Sequence, residues 1–257
     1  MSELEEKLNS NSICWQAESF RLTALLSPSA PIVEKDSWKK LTGELPDRQT
    51  SEPRTGIRQE EGRFKDERID GQLVLITQPT RVDWQIVPIA GVSDSDLPTL
   101  GFFTESVDSF IKLMTRWLED APPTQRLAFG AVLIKPVYSS KEGYEWISAY
   151  LPFNLDENSS DFLYQINRPR KSASTEDPDL LINRLSKWGV SLLTSFTFDP
   201  SKLEQYVTQP PRFSVRLELD INTTPSLSQE VGLERLPRIF QELVELGKEI
   251  ASKGDIK

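Results

Sequence analysis

An α+β fold is predicted, an antiparallel sheet backed by two long amphipathic helices, and three observations predict it. Phe213, Val215, Leu217, Leu219 and Ile221 alternate with polar residues, as a half-buried strand requires. Two stretches carry apolar residues at three- and four-residue spacing, the signature of one helical face. An opening segment at 20–46 also recurs at 126–152. In the first copy Ala24, Leu25 and Leu26 run into Pro28, Trp38 follows ten residues later, and Leu45-Pro46 closes the segment. In the second, Ala131, Val132 and Leu133 precede Pro136, Trp146 follows ten residues on, and Leu151-Pro152 closes.

Each copy predicts a strand ended by proline, which has no N–H for a ladder, and then a short helix turning its tryptophan toward the sheet. The expectation is an internal duplication of a strand-helix-strands-helix unit. Its halves would be 1–123 and 124–257, sharing one core, with 20–120 and 127–253 superposing.

In chain order, residues 13–26 favour an extended strand with Ile13, Trp15, Phe20 and Leu22 facing inward and a bulge near Glu18-Ser19. Residues 43–70 hold few large apolar side chains among many charges. They predict a long loop and then a protruding hairpin near 60–70, the first place a protease would cut, with a partner-contacting arm as the functional alternative. A hairpin follows: Leu73, Leu75 and Thr77 alternate with Gln72, Val74 and Ile76, a turn spans 78–81, and Val82, Trp84 and Ile86 return. The first strand of this hairpin reads as apolar on both faces.

Residues 104–120 predict the first long helix, with Val107, Phe110, Ile111, Met114, Trp117 and Leu118 on one face, Thr104 as its cap and Pro122-Pro123 after it. Residues 161–172 and 180–198 predict paired strands, separated by an acidic turn at 175–179 and each holding an Ile-Asn-Arg tripeptide, Ile166-Asn167-Arg168 and Ile182-Asn183-Arg184. Pro210-Pro211 introduces the last strand. The terminal helix begins near Leu236, because Pro237 is tolerated only in a first turn, and stops at Gly254.

Composition narrows the chemistry. With no histidine, the 257 residues exclude Ser-His-Asp triads, Cys-His pairs and histidine metal sites. Phosphate-loop, dinucleotide and nucleophile-elbow motifs are absent. The single cysteine, Cys14, and the polar, acidic opening MSELEEKLNSNS predict a cytoplasmic location. Aliphatic runs reach only four residues, where a membrane helix needs about 20. A formal charge of −9 disfavours nucleic acid and anionic membrane. No cofactor or metal is expected. Carboxylate sites at Asp83, or at Asp220 with Asn222, are the remaining route to catalysis.

The basic residues Arg168, Arg170, Arg184 and Lys187 predict a small positive area, with an internal ion-pair network as the alternative. Trp84 and Trp188, each near polar or basic neighbours, are the candidate stacking residues, with burial under a helix as the alternative. Trp38, Trp117 and Trp146 read as core.

The order of Pro31-Ile32-Val33, the mid-chain helix leading into a strand, the Ile-Asn-Arg tripeptide and the strand end Leu219-Asp220-Ile221-Asn222 resembles an uncharacterised, sporadically distributed bacterial α+β family of similar length. Here Pro31-Ile32-Val33 precedes a helix, a departure from that family. The resemblance implies a stand-alone protein with a mobile or defence-associated role, and it transfers no catalytic residue. The function expected is therefore a non-catalytic cytoplasmic binding or assembly protein whose partner is another protein. The alternative is a small-ligand or nucleotide-signal binder using the concavity between sheet and helix.

Overall fold

Alternation of apolar side chains dictates the dominant element, an antiparallel ten-stranded sheet. The computed structural model describes residues 15–28, 30, 36–89, 97–156, 158–173, 180–194, 196–199, 204–207, 212–224 and 231–255. Cys14, Ile13, Pro31-Ile32-Val33, the acidic turn at 175–179 and Pro210-Pro211 lie outside them.

The strands are β1 (Gln16–Leu26), β2 (Arg48–Glu52), β3 (Ile57–Lys65), β4 (Asp70–Gln78), β5 (Arg81–Val87), β6 (Thr124–Val137), β7 (Leu163–Asn167), β8 (Arg170–Lys171), β9 (Leu181–Leu193), β10 (Phe196–Asp199), β11 (Glu204–Val207) and β12 (Arg212–Thr223). The helices are α1 (Ser37–Thr42), α2 (Phe103–Leu118), α3 (Ser140–Ser148) and α4 (Leu236–Lys253). Strands β1 and β6 pair at the centre; β5, β4, β3 and β2 follow outward from β1, and β12, β9 and β7 from β6. β8 extends the β9 pairing, and β10 with β11 forms a separate two-stranded sheet.

Because a strand turns alternate side chains to opposite faces, each central strand contributes one row to the core: Phe20 and Leu22, Leu127 and Phe129, Leu217 and Leu219. All four helices pack on that face. Phe20 stacks on Phe110 of α2 at 5.5 Å, and Phe129 meets Phe240 of α4 edge-on at 6.1 Å. The opposite face carries the polar residues Arg21, Thr23, Asp83, Gln85, Glu218 and Asp220, with Ala128, Val132 and Ile134 of β6 among them. The expected bulge is present, as the register of β1 against β6 shifts between Ala17 and Ser19. No helix among the described residues is long and apolar enough to cross a membrane.

Several expectations need correction. Residues 43–70 are not a long loop: β2 and β3 join the sheet, the hairpin near 60–70 is present as β3 turning into β4 but lies within the sheet instead of protruding, and Glu60 is buried, ion-paired to Arg58. A strand whose core face carries Arg58, Glu60 and Gly62 has no apolar alternation, so periodicity misses it. Gly62 is there because a Cβ would lie 2.8 Å from the ring of Trp38, which lies over it. In the hairpin, Leu73, Leu75 and Thr77 are buried while Val74 and Ile76 are only half-buried on the polar face. Thr104 is not the cap of α2, whose N-cap position is Phe102 with no side-chain hydrogen bond.

The proline-to-tryptophan offset also fails as a structural correspondence. Pro28 follows the end of β1, whereas Pro136 lies within β6, tolerated by the ladder near its end. Trp38 is buried against Trp84 at 5.8 Å; Trp146 is half-buried beneath the Lys135 ammonium, and Ile147 takes the inward place on α3.

Candidate functional site

Strand pairing brings the two Ile-Asn-Arg tripeptides side by side. β7 and β9 are antiparallel with Asn167 opposite Leu185, and the Asn167 amide donates to Asn183 Oδ1 at 3.0 Å. The Arg168 N–H donates to the Arg184 carbonyl, and Arg170 stands opposite Ile182. Arg184 therefore lies on the helix-covered face, in the same row as Ser186 and Trp188.

The end of α4 meets this row. Gly254 adopts φ +73° and sits so close to Tyr150 that a Cβ would fall 2.3 Å from its carbonyl oxygen. The next residue, Asp255, donates its N–H to that same carbonyl at 2.8 Å. This fixes the Asp255 carboxylate beneath Arg168, whose Nε and Nη2 donate to it as a fork, Nη2 at 3.0 Å. Tyr164 Oη donates to the same carboxylate at 2.7 Å. Arg170 forks onto Glu249 at 2.8 and 3.3 Å, and Lys253 stands 3.9 Å from Glu249.

Together these groups line a cavity of about 570 Å³ between the strands and the end of α4, with Tyr150 and Ser186 also on its wall. Its lining holds four cations, Arg168, Arg170, Arg184 and Lys253, against two carboxylates, Glu249 and Asp255. The internal ion-pair network expected as the alternative is present, with Arg184 the most distant of the three arginines at 3.7 Å from Glu249. Arg168 and Arg170 are engaged in internal ion pairs, and cations belong at the C-terminal, negative end of a helix.

Arg184 differs from the other two. Its side chain is 12 % exposed and Nη2 stands 3.7 Å from Glu249, but among the described residues its guanidinium donates no hydrogen bond. Burial and the neighbouring Arg170 and Arg168 hold it below the ordinary arginine value, despite Glu249 and Asp255. The Tyr150 hydroxyl is a second buried donor with no acceptor, and burial keeps it protonated far above the usual tyrosine range.

The other candidates do not join this site. Lys187 is an odd number of residues from Arg184, so it points to the opposite face, where it pairs with Glu218 at 3.2 Å. There it lines a separate cavity of about 390 Å³ with Arg21, Gln85 and Asp220. Trp84 and Trp188 are fully buried and stack on no ligand surface. Trp84 packs among Trp38 and Trp117, and Trp188 stacks on Tyr150 at 5.5 Å. Asp83 is already occupied by a fork from Arg81 and by Thr23, and Asp220 accepts from Asn222 at 3.0 Å. Among the described residues no group of three or more acidic or cysteine side chains is placed to hold a metal.

Sequence reasoning missed Tyr150, Glu249, Lys253 and Asp255. Only Gly254 carried a signal, as a helix stop, and that signal does not say what the turn delivers.

Acid is expected to loosen this junction. Hydrogen bonds from Arg170 hold Glu249 below its ordinary 4.5; burial alone would raise Asp255, but hydrogen bonds from Arg168 and Tyr164 outweigh it and keep it below 3.8. A carboxyl depressed on folding stabilises in full above its unfolded pKa, and that contribution disappears as pH falls through the folded one. Urea midpoints should therefore drop between about pH 5 and about pH 3, and drop less steeply in Asp255→Asn. Equal slopes in the two proteins would contradict the assignment.

No family model, curated protein or solved structure matches this chain.

Proposed function

We propose that this chain is a non-catalytic binding protein that captures an anionic group in the arginine-lined cavity where the sheet meets the end of α4. One observation carries the reading: Arg184 is largely buried in that cavity and among the described residues its guanidinium donates no hydrogen bond, in a lining with more cations than carboxylates. A buried guanidinium without acceptors is costly, and an incoming anion would supply them. The cavity volume falls in the range of small-ligand sites. This is a concavity between sheet and helix, so it favours a ligand-binding role.

Assembly with another protein is supported separately by the exposed leucines Leu163, on edge strand β7, and Leu192 and Leu193, at the end of β9. An origin by internal duplication is supported by the matching order of strands outward from β1 and β6, although not by the tryptophans. A cytoplasmic setting rests on the single cysteine, and a place in a sporadically distributed bacterial system rests on the sequence resemblance.

The test is a thermal-shift and calorimetric screen of small phosphates, sulfates and carboxylates at fixed ionic strength. Arg170 is 47 % exposed, so Arg170→Gln should change stability by no more than about 1 kcal/mol while weakening anion binding. Lys187→Ala, on the other face, should leave binding unchanged. Absence of any stabilising anion at millimolar concentration, or equal weakening by both variants, would reject the reading.

A further inference from the structure

The charge inside the cavity specifies the anion more narrowly. Four cations against two carboxylates leave a surplus of two positive charges. The C-terminal end of α4 contributes roughly half a negative charge through its aligned peptide dipoles. Its carbonyls are already engaged: Ile250 accepts from Gly254, Ala251 from the Trp15 indole and Glu249 from the Ser252 hydroxyl. The balance is about one and a half positive charges, more than one carboxylate neutralises and close to the charge of a phosphate monoester at neutral pH, about −1.5 to −2.

The donors agree with this. Arg168 spends Nε and Nη2 on Asp255, which leaves Nη1. Arg170 spends Nη1 and Nη2 on Glu249, which leaves Nε. Arg184 has a buried Nε with no hydrogen-bond partner among the described residues and an Nη2 only 3.7 Å from Glu249, and the Lys253 ammonium is 73 % exposed at the rim. Donors that converge from β9, the β7–β8 turn and α4 suit three acceptor oxygens better than the two of a carboxylate.

We propose that the cavity is a phosphate-monoester site, with Arg184 as the central donor and Arg168 and Lys253 completing it, and that its ligand is a small phosphorylated molecule. This rests on the anion-binding reading above. A phosphate group attached to a protein side chain presents the same chemistry, and the test separates the two sources.

The experiment is isothermal titration of the full chain with inorganic phosphate, glucose 6-phosphate, glucuronate and a phosphoserine peptide at one ionic strength. Glucose 6-phosphate should bind about tenfold or more tightly than glucuronate at pH 7.5, since a charge-assisted hydrogen bond and an extra charge are both at stake. Its advantage should shrink toward pH 5, where the phosphate becomes a monoanion. Among the groups facing the cavity, Glu249 and Asp255 stay ionised over that interval, because both are held below their ordinary values, and Tyr150 and Tyr164, both raised, stay protonated.

Arg184→Gln should cost about tenfold in phosphate affinity. Because that guanidinium donates no hydrogen bond among the described residues and its only ion pair, with Glu249, is long at 3.7 Å, the variant should remain folded. Lys253→Gln, at an exposed position, tests the same site if it does not. Glucuronate binding as tightly as glucose 6-phosphate, or unchanged phosphate affinity in both variants, would overturn the phosphate assignment while leaving an anion site intact. Failure of every anion to bind would reject both readings. Tighter binding of the phosphoserine peptide than of glucose 6-phosphate would keep the phosphate chemistry and reject the small-molecule source.

Discussion

Trp188→Ala is expected to destabilise the protein by about 3–5 kcal/mol, the usual cost of truncating a large buried aromatic to alanine. Trp188 is fully buried, stacks on Tyr150 at 5.5 Å, meets Trp15 edge-on at 6.2 Å and donates its indole N–H to Ser186 Oγ at 3.1 Å. Removing the ring empties the space on which Tyr150 and the N-terminal end of β1 rest. A domain typically has about 5–15 kcal/mol in total, so most of the margin could go with this one ring. Urea denaturation followed by far-ultraviolet circular dichroism measures the loss. The outcome separates two roles, because a tryptophan held out to stack on a ligand would lose binding with little effect on the midpoint. A loss below about 1 kcal/mol would place Trp188 in that second class.

The second large effect is expected at Gly254. Its backbone, φ +73° and ψ −162°, lies in a region that residues with a side chain populate only at a cost of order 1–3 kcal/mol. Alanine there would also drive its Cβ to 2.3 Å from the Tyr150 carbonyl, so the backbone must move as well as strain. Gly254→Ala should therefore cost about 3 kcal/mol or more. It should also weaken anion binding, because the displaced turn no longer carries Asp255 to Arg168 or holds Glu249 and Lys253 against the β9 row. Gly43 gives the contrast. It also has positive φ, at +82°, but nothing lies within 4 Å of its would-be Cβ, and Gly43→Ala should cost only the conformational part, about 1–2 kcal/mol. Equal losses at the two positions would show that contact with Tyr150 plays no part.

Much of the local structure follows from residues that act over short distances. Phe213 to Ile221 alternate and are a strand because period two matches the pleat. Pro237 sets the start of α4 and Gly254 its end, each through its own backbone chemistry. The bulge in β1 was legible in the broken alternation at Glu18. The pairing of the two Ile-Asn-Arg strands was legible as well, because only a short polar, acidic stretch of sequence separates them.

What only the tertiary structure decided is which faces meet. β3 escaped sequence reading because its inner face is Arg58, Glu60 and Gly62; charge there is tolerated because Arg58 and Glu60 pair with each other along the strand and Trp38, from α1, lies over Gly62. Lys187 and Arg184 are three residues apart and looked like neighbours, but a strand sends them to opposite sides of the sheet. Trp84 and Trp188 had polar neighbours in sequence and apolar ones in space, since flanking residues on a strand report on the other face. The anion cavity depended most on the fold. Arg184 is more than sixty residues from Glu249 and Asp255, and their charges acquire meaning only when the end of α4 closes over β9 and removes Arg184 from water.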